Sequence, residues 1–203
     1  MDPRPLRFVV LGDSLAFGTG AARPADALGP RLAAELEAAG RTVELHVVAV
    51  PGACSADLAA QVRRAAPLGA DLALIVVGAN DLARLVPPER AAAALGAAVR
   101  ELRRDGTAVV AATAPDLSWV PGVPPALRGL VQAASTELQR RQAAAAETAG
   151  ALVAAVGGEL GLAFAAEPGL FSADRFHPSS AGYARIAATL APYVLEAAEP
   201  EAA

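Results

Sequence analysis

The chain has 203 residues, a length that suits one domain or at most two small ones and allows about 70% of the unfolded surface to be buried without a disulfide or metal staple. A composition of 54% apolar against 19% charged residues excludes disorder as the overall state, and a net charge of −4 excludes the basic footprint that nucleic acid or an anionic membrane would require. All 17 cationic side chains are arginine, and the lack of lysine removes P-loop, Schiff-base and Ser-Lys chemistry.

Residues 6–11 form the first apolar run. It is too short for the core of a secretory signal and leads into Gly12-Asp13-Ser14, so it reads as a strand and a cytoplasmic location is expected. A pattern then recurs in which an alanine-rich helical segment, a glycine and a short aliphatic run follow one another. Gly40 precedes a strand at 43–50, Gly69 one at 72–77, Gly106 one at 108–112 and Gly150 one at 152–156. Glycine ends helices cheaply because it accepts the left-handed conformation. The near-continuous aliphatic character of the runs suits strands buried on both faces of a parallel sheet.

Between the strands, Ser55 is expected to N-cap a helix through Leu58 and Val62. Residues 89–104 place Leu95, Val99 and Leu102 at helical spacing, with Arg100, Glu101, Arg103 and Arg104 mostly on the other side. Further helices are predicted at 125–148 and 180–195. Together these predict right-handed βαβ units in one doubly wound, three-layer α/β/α domain over 1–197 with a five-stranded parallel sheet, and a frayed tail at 198–203. No run of eighteen apolar residues is present, so no transmembrane segment is expected, and no heptad or long apolar stripe specifies an oligomer.

In such a sheet, ligands bind beyond the carboxyl ends of the strands. The segments that follow the strands are Gly12-Asp13-Ser14-Leu15, Pro51-Gly52-Ala53, Gly78-Ala79-Asn80-Asp81, Pro115-Asp116 and, across a longer loop, Asp174-Arg175-Phe176-His177-Pro178. Brought to one edge, they supply a hydroxyl, a flexible glycine N–H, a carboxamide, an imidazole and carboxylates. Those are the parts of an acyl-transfer site. A serine hydroxyl needs a base, which His177 can be, and the imidazole needs an acceptor on its other nitrogen, for which Asp174 lies three residues upstream. An oxyanion needs donors fixed in advance, for which the Ser14 N–H, the Gly52 N–H and the Asn80 carboxamide are candidates.

The four blocks around Ser14, Gly52, Asn80 and Asp174–His177 occur in the order and at the positions that resemble the signature of the SGNH (GDSL) hydrolase family of serine esterases and lipases. The resemblance covers nearly the whole chain. It implies a flavodoxin-like fold and hydrolysis of small-molecule acyl esters. It further implies Ser14 as nucleophile, an Asp174–His177 pair, and oxyanion donors from Ser14, Gly52 and Asn80. The α/β-hydrolase elbow G-x-S-x-G is a different pattern, since Ala16 stands where its last glycine belongs.

Other readings of the same residues stay open at this level. Ser14 also suits a helix N-cap, and Asp116 or Asp81 could orient the imidazole in place of Asp174. Asp13 and Asp81 read best as loop-holding side chains. Leu15 and Trp119 are candidate substrate-lining residues, although Trp119 could equally anchor its proline-rich loop. His46 reads as structural, and Cys54, the sole cysteine, as a small buried hydrophobe. No disulfide, metal or cofactor is expected, because one cysteine and two histidines supply too few ligands. Gly18-Thr19-Gly20 is a poor dinucleotide loop, with Arg23 where the third glycine belongs. Within ester chemistry, carbohydrate O-deacetylase, lysophospholipase, thioesterase and acyltransferase activities share the same triad, and a non-catalytic binding module is the rival from another class.

Overall fold

Successive side chains of a strand point to opposite faces, so an unbroken aliphatic strand must be covered twice. The computed structural model, which describes residues 4–156 and 158–199, meets that requirement. In chain order the elements are β1 (Leu6–Gly12), α1 (Ser14–Phe17), α2 (Leu28–Ala38), β2 (Val43–Val47), α3 (Leu58–Ala65), β3 (Leu72–Val76), α4 (Ala79–Ala83), α5 (Pro88–Arg104), β4 (Ala108–Ala112), α6 (Arg128–Thr148), β5 (Leu152–Ala154), α7 (Glu159–Ala166) and α8 (Ser180–Ala197). Phe8 and Val10 of β1, with Leu74 and Val76 of β3, pack on Leu28, Leu32 and Leu36 of α2 and on Ile186, Leu190 and Val194 of α8. Val9, Leu11, Ala73 and Ile75 face the other way, onto Leu58 and Val62 of α3 and Leu95, Val99 and Leu102 of α5. Each large aliphatic side chain so buried contributes about 1.5–3 kcal/mol relative to exposure.

All strand pairs are parallel, and the spatial order β2-β1-β3-β4-β5 is that of a flavodoxin-like doubly wound sheet. The connections leave β1 in one direction and return past it to β3, so the order reverses between those two strands. Ser14 directly follows β1 and Asn80 directly follows β3, which puts both at the switch point.

Two strands are shorter than the apolar runs predict. β2 ends at Val47 and β5 spans three residues, and both lie at sheet edges with one neighbour each. Double-sided burial holds for the interior of the sheet, whereas every position of β2 is half-buried or exposed and Val50 is 40% exposed. Beyond Val47 the chain still tracks β1, through Val48 N–H to Val10 O and Val50 N–H to Gly12 O (2.9 and 3.0 Å).

Ser55 is not the expected N-cap. Cys54 occupies that position ahead of a short 3-10 turn, while Ser55 is fully buried and donates its N–H and hydroxyl to Asp81 (2.9 and 3.0 Å). The start of the expected tail also differs. Ala197 ends α8, and Ala198 is buried and accepts a bond from Arg41 Nη1 at 2.8 Å; residues 200–203 lie outside the described residues. No helix among the described residues is long and apolar enough to cross a membrane.

Candidate active site

The turn after β1 depends on Gly12. Its φ of +135° and its closeness to β3, where an added Cβ would lie 1.8 Å from Val76 O, exclude any side chain. Gly12 is the last residue of the ladder, and the buried Gln61 amide of α3 bonds both of its backbone groups, accepting from Gly12 N–H (2.7 Å) and donating to Gly12 O (2.8 Å), which also accepts Val50 N–H. Asp13 then caps α1 by accepting Leu15 N–H at 2.9 Å. Ser14 is therefore the first helical residue and not the cap, and its own N–H has no intrahelical acceptor.

At the other end of the chain, residues 171–178 fold back on themselves. Phe171 and Pro178 form an antiparallel bridge, and Ser172 N–H donates to His177 O at 2.8 Å. One oxygen of Asp174 ties the loop by accepting from Ser172 Oγ, Phe176 N–H and His177 N–H (2.8, 2.9 and 2.9 Å). The other oxygen lies 2.6 Å from His177 Nδ1. With a carboxylate there, the ring proton sits on Nδ1 and Nε2 is left as an acceptor, 3.0 Å from Ser14 Oγ. The imidazole bond, together with the loop N–H groups and the Ser172 hydroxyl, holds the Asp174 carboxyl well below the usual carboxylate range. The two other candidate orienters are engaged elsewhere. Asp116 accepts Ser118 N–H (2.9 Å) and Asp81 holds Ser55.

Gly52 occupies the third position of a Pro51–Gly52 turn closed by Ala53 N–H to Val50 O (3.0 Å), and its φ of +83° is what that position demands. Asn80 donates from Nδ2 to Ala53 O (3.0 Å), tying this turn to α4 and leaving the second amide hydrogen to point elsewhere. Arg84 grips the same turn through Nη2 to Gly52 O (3.0 Å). The bond from Val50 to Gly12 keeps the Gly52 turn beside the Ser14 turn. Next to Ser14 and His177 opens a cavity of about 110 Å³ whose walls include both Leu15 and Trp119. Gly52 and Asn80 are not among the residues lining it. His46 lies on the edge strand against Glu44, Cys54 is buried with its thiol pushed up by that burial, and no group of three or more His, Cys, Asp or Glu among the described residues is placed to hold a metal.

The sequence model of the GDSL-like lipase/acylhydrolase family matches residues 10–185. The chain belongs to that family. The GDSL-like esterase Rv1075c of Mycobacterium tuberculosis (strain ATCC 25618 / H37Rv) is 37% identical over 186 residues, covering 90% of this chain; the chain spans 59% of the length of that relative. Among solved structures, TesA superposes with a TM-score of 0.75 at 19% identity, covering 94% of this chain and 99% of its own. The psychrotrophic esterase EstA from Pseudoalteromonas sp., solved inhibited by monoethylphosphonate, gives a TM-score of 0.72 at 18% identity over 94% and 97%.

Several supports of this candidate site escaped the sequence reading. Gly20, with φ +95°, is the seat of the histidine loop, since an added Cβ would stand 2.5 Å from Pro178 O and 2.9 Å from His177 Cβ. The buried Tyr183 of α8 donates its hydroxyl to Thr19 O (2.8 Å), and Ser180 accepts Ala22 N–H and donates to Asp26 (3.0 and 2.9 Å). These bonds fasten the segment after Ser14 to the helix after His177. A second buried glutamine, Gln142 of α6, accepts Ala114 N–H (2.7 Å) and donates to Val77 O (3.1 Å), as Gln61 does for Gly12.

Asp13 carries a cost that can be measured. Burial pushes its carboxyl up from 3.8 to about 6, against the pull of the Leu15 and Gly78 N–H groups. A carboxyl whose folded pKa exceeds its unfolded one binds more protons in the native state. Its effect on stability is therefore least adverse in acid and becomes more adverse as pH rises from about 4 through about 6. Asp13→Asn keeps an oxygen for the Leu15 cap and removes the charge. Measured by urea unfolding, the stability of the variant relative to wild type should rise by roughly 2 kcal/mol between pH 4 and pH 7.5. A difference that stays flat across that range would show that Asp13 does not titrate in this way.

Proposed function

We propose that the chain is a serine hydrolase of carboxylic esters. The observation that carries the reading is the unbroken line from Ser14 Oγ through His177 to Asp174, at 3.0 and 2.6 Å, between residues from opposite ends of the sequence. Membership of a lipase/acylhydrolase family and a relative described as an esterase support it.

In this reading Ser14 Oγ attacks the ester carbonyl carbon as its proton passes to His177 Nε2, and Asp174 stabilises the imidazolium that forms. The oxyanion is held by the Ser14 and Gly52 N–H groups and the free amide hydrogen of Asn80; one such donor is worth about 3–4 kcal/mol in the transition state. Collapse of the tetrahedral intermediate breaks the carbon–oxygen bond, and the departing alkoxide takes the proton from Nε2. A water molecule, deprotonated by the same nitrogen, then releases the acid and restores Ser14.

A fluorophosphonate probe should attach to Ser14, identified by peptide mass, and Ser14→Ala should remain unlabelled. A folded wild-type protein that neither takes up the probe nor hydrolyses p-nitrophenyl acetate would overturn the proposal.

A further inference from the structure

The cavity beside Ser14 is a composite of three segments. The loop after β4 contributes Leu117, Trp119 and Val120, α7 contributes Leu160, Gly161 and Phe164, and the histidine loop contributes Phe171 and Phe176. Val156 and Ile186 also line it. Phe164 and Phe171 meet edge-to-face with centroids 5.1 Å apart, which stiffens that wall. The polar residues among the lining are Asp13, Ser14, Asp116 and His177, and the first and third already bond backbone N–H groups. Apart from these and the indole N–H of Trp119, the lining an occupant meets is apolar.

One wall of this cavity owes its position to a missing side chain. A Cβ added to Gly161 would lie 2.8 Å from Trp119 Nε1 and 3.0 Å from Cδ1, so the indole edge rests on the α7 backbone where glycine alone leaves room. Any side chain at 161 would drive the indole away from the helix.

Resting on the reading of Ser14 as nucleophile, we infer that this cavity is the acyl pocket and that Trp119, seated on Gly161, sets the length of acyl chain accepted, with an optimum near eight carbons. The solvent-facing edge of the site is the His177–Asp174 side, where these side chains are 21% and 47% exposed, and the alcohol leaves there as it collects its proton from Nε2. The carbonyl oxygen is turned to Gly52 and Asn80, outside the cavity. The acyl group, which stays on the enzyme after the alcohol has gone, is left with the apolar space. One enclosed water occupies roughly 10–15 Å³ of such volume; with the upper figure for the bulkier methylene, about 110 Å³ holds about seven methylene groups beyond the carbonyl carbon.

The test is kcat/KM on p-nitrophenyl esters from acetate to palmitate, with melting temperatures as a check on folding. For the wild type, kcat/KM should climb up to about fourfold per added methylene as far as about eight carbons and then fall. Trp119→Ala and the milder Trp119→Leu should move the optimum at least two carbons longer, and Gly161→Val at least two carbons shorter. A wild-type optimum at acetate or palmitate overturns the inference, as does an optimum unmoved in folded, acetate-active variants. Failure of the wild type to hydrolyse any member of the series instead removes the nucleophile reading, and the pocket assignment with it.

Discussion

Ser14→Ala is expected to lower kcat on an activated ester by about 10⁴- to 10⁶-fold, and His177→Ala by a similar factor. In the proposed mechanism the two residues act as a unit. Without Nε2 to receive its proton the hydroxyl is a poor nucleophile, and without the hydroxyl the imidazole has nothing to deprotonate for attack. The double variant should therefore be no slower than either single variant, since each already removes the whole proton-transfer step. Folding should survive. Alanine suits the nearly buried site of Ser14, whose hydroxyl bonds to His177, and His177 stands at the rim. Purified variants compared by kcat and by melting temperature decide the matter. Ser14→Ala retaining more than about 1% of wild-type kcat would remove it as nucleophile.

Asp174→Asn is expected to cost about 10⁴-fold in kcat while leaving the loop in place. The two oxygens of Asp174 have separate duties. The one that accepts from Ser172, Phe176 and His177 can be replaced by the amide oxygen of asparagine. The one facing His177 Nδ1 becomes an NH₂ group, which can only donate. The ring must then carry its proton on Nε2, and it presents a donor to Ser14 where catalysis requires an acceptor. Asp116→Asn is the control. Its carboxylate caps Ser118, a bond that asparagine can keep, and kcat should stay within about tenfold of wild type. Should Asp174→Asn fall no further than the control, the tautomer-fixing role of Asp174 is wrong.

How much of this was readable in the sequence depends on whether a residue acts locally or across the fold. Strand interiors were readable because aliphatic continuity is a direct consequence of double burial, and the glycines at 40, 69, 106 and 150 do take positive φ where the chain leaves each helix. The lengths of β2 and β5 were not, since an apolar run does not reveal that its strand lies at an edge. The pairing of Asp174 with His177 was readable because three residues of separation limit their distance. Ser55 was misread because a serine before a helical pattern looks like a cap, whereas its bond to Asp81 spans 26 residues. Gly20, Gln61, Gln142 and Tyr183 were missed for the same reason, their partners being distant in sequence. A faint signal existed for Gln61, the lone amide of its short helix beside Leu58 and Val62, the surroundings in which a buried polar group must have a partner; Gln142 shares its helix with Gln132 and Gln139 and did not stand out.

The bond between Ser14 and His177 joins positions 163 residues apart, and Tyr183 and Ser180 fasten the same two regions together. Under the proposed mechanism the Ser14 hydroxyl has no base until the loop carrying His177 has docked beside it. On that mechanism, turnover reports that these two distant regions have met, because either one alone holds only half of the proton-transfer pair.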